Sequence, residues 1–164
     1  MTVLPRSLLG ALSAAVLACG CAMMNPPAAV PIGSGIADAT NALGKPTGEY
    51  ALPGGGKRLE YATGPSGKET WMLDFDTAGK MVSITQVLND RNFDPVRAGM
   101  TTDELLFMLG RPIGRRQLPR TGEVVWSYRY ESPACVLFQA SVDPATRKVI
   151  NTGRLPDPVC TPDL

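Results

Sequence analysis

The stretch FDPVRAGMTTDELLFMLGRPIG, Phe93 to Gly114, decides how the rest of the chain is read. Gly99 stands where a left-handed residue closes the preceding turn. Thr101 and Glu104 have the spacing of a capping box, in which each side chain satisfies the other residue's free backbone N–H. Leu105, Met108 and Leu109 fall at i, i+3 and i+4 and form one apolar stripe. Gly110 stops the helix and Pro112 keeps it from restarting. The pattern predicts a short, well-capped amphipathic helix.

It occurs twice. The shift that carries Gly33 onto Gly99 also carries Ala39 onto Leu105, Leu43 onto Leu109 and Gly48 onto Gly114. The same shift carries Gly44-Lys45-Pro46 onto Gly110-Arg111-Pro112. One further residue of offset brings Asp76 onto Asp143, Lys80 onto Arg147 and Val82 onto Val149. Repetition of this kind is settled before other features of a fold. It predicts two tandem copies of a helix-then-strands unit.

Working outward, residues 1–20 lie apart from both copies. Arg6 is their only charge, and Leu8 to Ala18 is an unbroken run of apolar and small residues. A helix that spans a bilayer needs ~20 apolar residues, and this run is shorter. A basic start, an apolar middle and small residues at the cut make a secretory signal peptide. Val16-Leu17-Ala18-Cys19 and Ala18-Cys19-Gly20-Cys21 each resemble the bacterial lipobox, whose cysteine is acylated and becomes the mature N-terminus. No acidic residue immediately follows either cysteine, which resembles outer-membrane retention. The expected location is the outer membrane, lipid-anchored and periplasm-facing. Residues 21–35 are proline-rich, then glycine-rich, and read as a tether.

The first unit is assigned to 36–88 and the second, with a C-terminal tail, to 89–164. In the first, Ile36 to Leu43 is a weaker helix stopped by Gly44-Lys45-Pro46, and Arg58–Tyr61, Thr70–Phe75 and Lys80–Leu88 read as strands. In the second, Glu123–Tyr130, Cys135–Val142 and Lys148–Thr152 are the strands. Trp126, Tyr128 and Tyr130 face one side and Val125 and Ser127 the other. Short turns such as Asp76-Thr77-Ala78-Gly79 imply antiparallel pairing. The expected fold is α+β: two tandem units, each of short helices packed on a three-stranded antiparallel sheet. Leu155 to Leu164 is read as a proline-rich tail without regular structure.

Composition excludes some functions. The chain has 16 basic and 15 acidic residues, and Arg6 falls in the leader, so the remainder is balanced. Nucleic-acid binding would need a basic excess. There is no histidine, the commonest general base and metal ligand. Asp74 and Asp76 share a strand face but flank a hairpin turn, and they read as a solvated strand end rather than an acid–base pair. Gly54-Gly55-Gly56-Lys57 and Gly67-Lys68 lack the spacing of a phosphate loop. Cys135 and Cys160 lack companion ligands for zinc. No catalytic residue, metal or cofactor is expected.

FDPVRAGMTTDELLFMLGRP resembles the signature of the BamE (SmpA/OmlA) family of bacterial outer-membrane lipoproteins. That pattern is a Gly-Met-Thr, an amphipathic helix, Leu-Gly-x-Pro, a Trp/Tyr-rich strand and a turn carrying Asp and Gly. Here the parts are Gly99-Met100-Thr101, Leu109-Gly110-Arg111-Pro112, Trp126-Ser127-Tyr128 and Asp143 to Lys148. The resemblance implies a non-enzymatic accessory or scaffold component of β-barrel assembly or envelope maintenance. The tandem arrangement is similar to the β-lactamase-inhibitor-protein-like fold, where two helix-plus-sheet units form one curved surface. That likeness implies, as the alternative, an inhibitor-like module that captures a periplasmic enzyme.

Arg111, Arg115, Arg116 and Arg120 crowd a segment read as a loop without acids, and Leu106 and Phe107 fall off the helix's inner stripe, so one of them is expected at the surface. A solvated loop is one reading. The resemblance implies another: contact of these arginines and Phe107 with anionic phospholipid headgroups or assembly proteins. The cysteines add a constraint. In an oxidising periplasm an odd thiol is a liability. Acylation of Cys21 removes Cys19 with the leader and leaves Cys135 and Cys160 to pair, whereas acylation of Cys19 strands Cys21. The arithmetic favours Cys21 and a Cys135–Cys160 disulfide.

Overall fold

The computed structural model describes residues 27–160. The leader, both lipobox cysteines and the start of the tether lie outside the described residues, as do 161–164.

After a turn of 3-10 helix, Pro27–Ala29, the elements are α1 (Ile36–Leu43), β1 (Gly48–Ala51), β2 (Lys57–Ala62), β3 (Thr70–Phe75) and β4 (Met81–Gln86). They continue with α2 (Asp90–Phe93), α3 (Thr102–Leu109), β5 (Gly114–Gln117), β6 (Val124–Arg129), β7 (Val136–Asp143) and β8 (Lys148–Pro156). Two antiparallel sheets result, ordered β1-β2-β3-β4 and β5-β6-β7-β8. Each therefore has four strands, where the sequence pattern predicts three. The extra strands, GEYA and GRRQ, are short edges that follow the Gly-x-Pro stop. All four residues of β5 are exposed, so no apolar alternation announces it. Arg115 and Arg116 thus lie in a strand rather than a loop, while Arg111 and Arg120 stay outside it. The tail also differs from expectation, because β8 runs on to Pro156 and pairs Leu155 with Leu137.

The duplication extends to individual hydrogen bonds. The N–H of Gly33 donates to Met81 O and that of Gly99 to Val149 O, both at 2.8 Å. Tyr61 and Tyr128 each donate a hydroxyl to the carbonyl of the helix-stopping glycine, Gly44 and Gly110. Isolated bridges pair Gly35 with Lys80 and Thr101 with Lys148. These bonds make Met81, not Val82, the equivalent of Val149, and Lys80 the equivalent of Lys148. The second hairpin turn holds one more residue than the first, so Gly79 and Arg147 are the matching left-handed positions (φ 72° and 55°).

The capping box at Thr101 and Glu104 forms, and Gly110 closes α3 at φ 74°. Leu105 and Leu109 are wholly buried and Met108 half so. Each buried leucine contributes about 1.5–3 kcal/mol over an exposed one. They pack with Trp126, Tyr128, Tyr130 and Phe138 on the inner face of the second sheet, where Phe93 of α2 stacks on Phe138. The first core is smaller: Ala39 of α1 meets Leu59, Tyr61, Leu73, Phe75 and Met81. Because side chains alternate along a strand, β2 and β3 present Arg58, Glu60, Thr70, Met72 and Asp74 on the opposite face. Met72 belongs to the second core. The first sheet is therefore covered on both faces, by α1 and by the second unit.

Gly110 is the point of closest approach. A Cβ there would come within 2.8 Å of Thr70 Cγ2 and 2.9 Å of Glu60 Cδ, whereas at Gly99 (φ 89°) it would meet nothing. Gly110→Ala should therefore lose more than the ~1 kcal/mol of a left-handed glycine, and Gly99→Ala only that amount. Urea denaturation of both variants checks this; equal losses would contradict the packing described.

Candidate functional site

The contact between the units is built on two charged side chains of β2. Glu60 has no solvent exposure. Its carboxylate accepts hydrogen bonds from the hydroxyls of Thr47 (2.8 Å) and Tyr50 (2.5 Å) and from the backbone N–H of Arg111 (3.2 Å). Burial and the Glu60 hydrogen bond push the Tyr50 hydroxyl's pKa up. Arg58 forks onto Asp74 at 2.6 and 2.8 Å, donates to the Phe107 carbonyl at 3.0 Å and lies 4.3 Å over the Phe107 ring. Asp74 is accordingly a partly buried ion-pair member, not a solvated strand end. Asp76 caps its turn by accepting the N–H groups of Ala78 and Lys80. Phe107 is half-covered, between Arg58 and the edge of Tyr50.

The strand geometry separates the four arginines. Arg115 pairs with Trp126 across the β5–β6 ladder and shares its face, with its guanidinium 4.1 Å over the indole. Arg116 pairs with Val125 and lies on the other face. Arg120 is in the exposed hairpin turn between β5 and β6. Arg111 follows the α3 cap and lines a cleft of about 610 Å³ together with Arg115, Leu106, Pro112 and the strand edges at Gly48–Tyr50 and Gly114. Only Arg111 and Arg115 of the four share a cavity wall there.

The outer face of the second sheet is a different kind of surface. It carries Val125, Ser127, Leu137, Gln139 and Ser141, with Arg116 at one margin and Arg129 at the other. Val125 and Leu137 belong to neither core, and Gln139 donates to Ser127 Oγ at 2.9 Å. By the duplication these positions correspond to Arg58, Glu60, Thr70, Met72 and Asp74. In the first unit that face is buried against α3. In the second, no described helix covers it.

The chain end closes one margin of this face. Cys135 and Cys160 are joined, with Cα atoms 6.4 Å apart. Arg129 forks onto the buried Asp157 through Nε and Nη2 and donates through Nη1 to the Pro65 carbonyl at 3.0 Å. Among the described residues no group of three or more His, Cys, Asp or Glu could hold a metal, and no helix is long and apolar enough to cross a membrane. Sequence reasoning missed Glu60, Arg58 and Asp157. An Arg-x-Glu in an alternating strand reads as solvent-facing, and only the second unit's arrival on that face buries it.

No family model and no curated protein matches the chain. Several solved structures are similar at a distance. One is described as a putative beta-lactamase inhibitor protein from Streptococcus mutans, 13% identical, TM-score 0.33, over 74% of this chain and 82% of that one. A DUF4309 family protein (YjgB) from Bacillus subtilis is 15% identical, TM-score 0.31, over 76% and 79%. A cysteine-rich secretory protein from Staphylococcus aureus is 14% identical, TM-score 0.30; 78% of this chain spans 44% of its length. Likenesses at this level assign the chain no function.

The Arg129–Asp157 pair makes a pH prediction. The guanidinium's hydrogen bonds hold the Asp157 carboxyl below its usual range. A depressed carboxylate stabilises the fold above the unfolded-state pKa, and that stability is lost as pH falls through the folded value. Asp157→Asn should therefore cost about 1–3 kcal/mol near neutrality, and the gap from the parent should close at pH values below the ordinary carboxylate range. Thermal melts of both proteins across pH check this; a gap that persists in acid would exclude the pair as its cause.

Proposed function

We propose that the chain is a non-enzymatic protein-binding module, held at the periplasmic side of the outer membrane by a lipid on Cys21. The observation that carries the binding role is the outer face of the second sheet, which no described helix covers. Its counterpart in the first unit is a protein-docking face, occupied by α3. The second copy's face has gentler chemistry: half-exposed neutral hydrogen-bonding groups at Ser127, Gln139 and Ser141, with the apolar Val125 and Leu137 buried among them. Such a mixture suits a partner that folds separately and binds without burying an unpaired charge. This supports the inhibitor-like reading, in which a folded periplasmic protein is captured on a sheet face.

The accessory role in β-barrel assembly is the second reading, favoured by the signature from Gly99 to Pro112. Much of that signature is occupied within the molecule, since Gly110 and the Arg111 N–H dock on Glu60 and Thr70. It therefore supports the fold more directly than the role.

A photo-crosslinking residue placed at Gln139 in the full-length protein in cells should yield an adduct with a periplasmic protein, and one at Thr77, exposed on the first unit's hairpin turn, should not. Gln139→Arg should abolish co-purification of that protein while leaving the melting temperature within a few degrees, as expected for a surface change worth about ±0.5 kcal/mol. Adducts with barrel-assembly subunits would select the second reading. Equal adducts from both positions, or none, would contradict a docking role for this face.

A further inference from the structure

The cleft between the units has features that neither the fold nor the open sheet face uses. Its walls are two sheet edges, β1 at Gly48–Tyr50 and β5 at Gly114–Arg115, which are equivalent strands of the two copies. Each edge strand has a neighbour on one side only. An edge strand presents unpaired backbone N–H and C=O groups and is a template for an incoming strand. Neither edge is blunted by a proline, and no described element covers them.

The charge in the cleft is one-sided. Arg111 and Arg115 both line it, and neither pairs with a carboxylate among the described residues. The acidic residue on the opposite wall, Glu49, is engaged by Lys57 at 3.1 Å. Glu60 lies behind the wall with its carboxylate taken up by Thr47, Tyr50 and the Arg111 N–H. Arg115 rests over the Trp126 ring, a contact that positions its guanidinium without neutralising it. Past Arg115 and Leu106, which line both spaces, the cleft continues into a second lobe of about 400 Å³ walled by Val124, Trp126 and Val142. Arg147 at the far end of that lobe is already paired with Asp103.

We infer that this cleft binds an extended acidic segment of a protein partner. The segment adds to a sheet edge, sets a Glu or Asp carboxylate against Arg111 and Arg115, and places an apolar side chain two residues away in the lobe beside Trp126. Residues at i and i+2 of a strand share a face and lie roughly 6.5–7 Å apart, so one extended segment can present an anionic and an apolar side chain to the same wall. The inference is independent of the open sheet face and of the lipid anchor.

The probe is a fluorescein-labelled threonine peptide carrying one glutamate and, two positions on, one leucine, followed by fluorescence anisotropy at low and physiological salt. Arg115→Ala and Arg111→Ala should each weaken binding about tenfold or more, the scale of a lost charge-assisted contact, while Arg116→Ala and Arg120→Ala leave it unchanged. Replacing the peptide's glutamate by glutamine or its leucine by serine should weaken it as well. Arg115→Lys, which keeps the charge, guards against a loss that is merely structural and should retain intermediate binding. Equal weakening by all four arginine variants would overturn the site in favour of diffuse charge. So would stronger competition by inorganic phosphate or phosphatidylglycerol vesicles than by unlabelled peptide, which would indicate a phosphate or lipid surface.

Discussion

Glu60 ends in a carboxylate that water does not reach, and the two halves of the chain meet on it. Three donors compensate for its lost hydration, two from the first unit and one, the Arg111 N–H, from the second. No ammonium or guanidinium pairs with it among the described residues. An ion taken out of water costs several kcal/mol unless its hydrogen bonds are complete, so all three donors have to be in place together. That requirement fixes the position of α3, because Gly110 has to be small enough to approach and left-handed enough to aim the next N–H. Arg58 extends the constraint by tying Asp74 to the Phe107 carbonyl. Met72, with Val87 and Leu88, then joins a core whose other buried members belong to the second unit.

The duplication makes this arrangement informative about function. Two copies of one unit offer the same two sheet faces, and in each copy a helix covers the inner one. The outer face of the first copy is filled by the second, as in repeat arrays where each unit contacts its neighbours. No described helix covers the outer face of the second copy, and the residues there differ. Glu60 is replaced by Ser127, Arg58 by Val125 and Asp74 by Ser141. An ion on that face would have to be desolvated whenever a partner covered it, and small neutral groups carry no such cost.

Much of the fold was legible because its punctuation is local. The capping box at Thr101 and Glu104, the stop at Gly110 and the alternation in Thr70–Phe75 each act within a few residues. The disulfide between Cys135 and Cys160 followed from counting thiols. The edge strands were not legible, because GRRQ and GEYA bury too little on either face to carry a pattern. The extra residue in the second hairpin was hidden as well: Lys80 aligns as well with Arg147 as with Lys148 until the backbone shows which position is left-handed. The arginines were visible as a cluster, but only the β5–β6 register assigns Arg115 to the cleft and Arg116 to the opposite face. Glu60 gave no signal, since its burial comes from residues far along the chain.

Glu60 joins the two units into one cooperative body. Trp71 reports on the first unit and Trp126 on the second, so Trp126→Phe and Trp71→Phe variants give each unit its own fluorescent probe. In these two proteins the urea unfolding curves should coincide. When Glu60→Ala is added to both, the curves should separate, with the Trp71 transition moving to lower denaturant because the first unit's smaller core has lost its second face. Curves that still coincide, at the midpoints of the proteins that retain Glu60, would contradict the account.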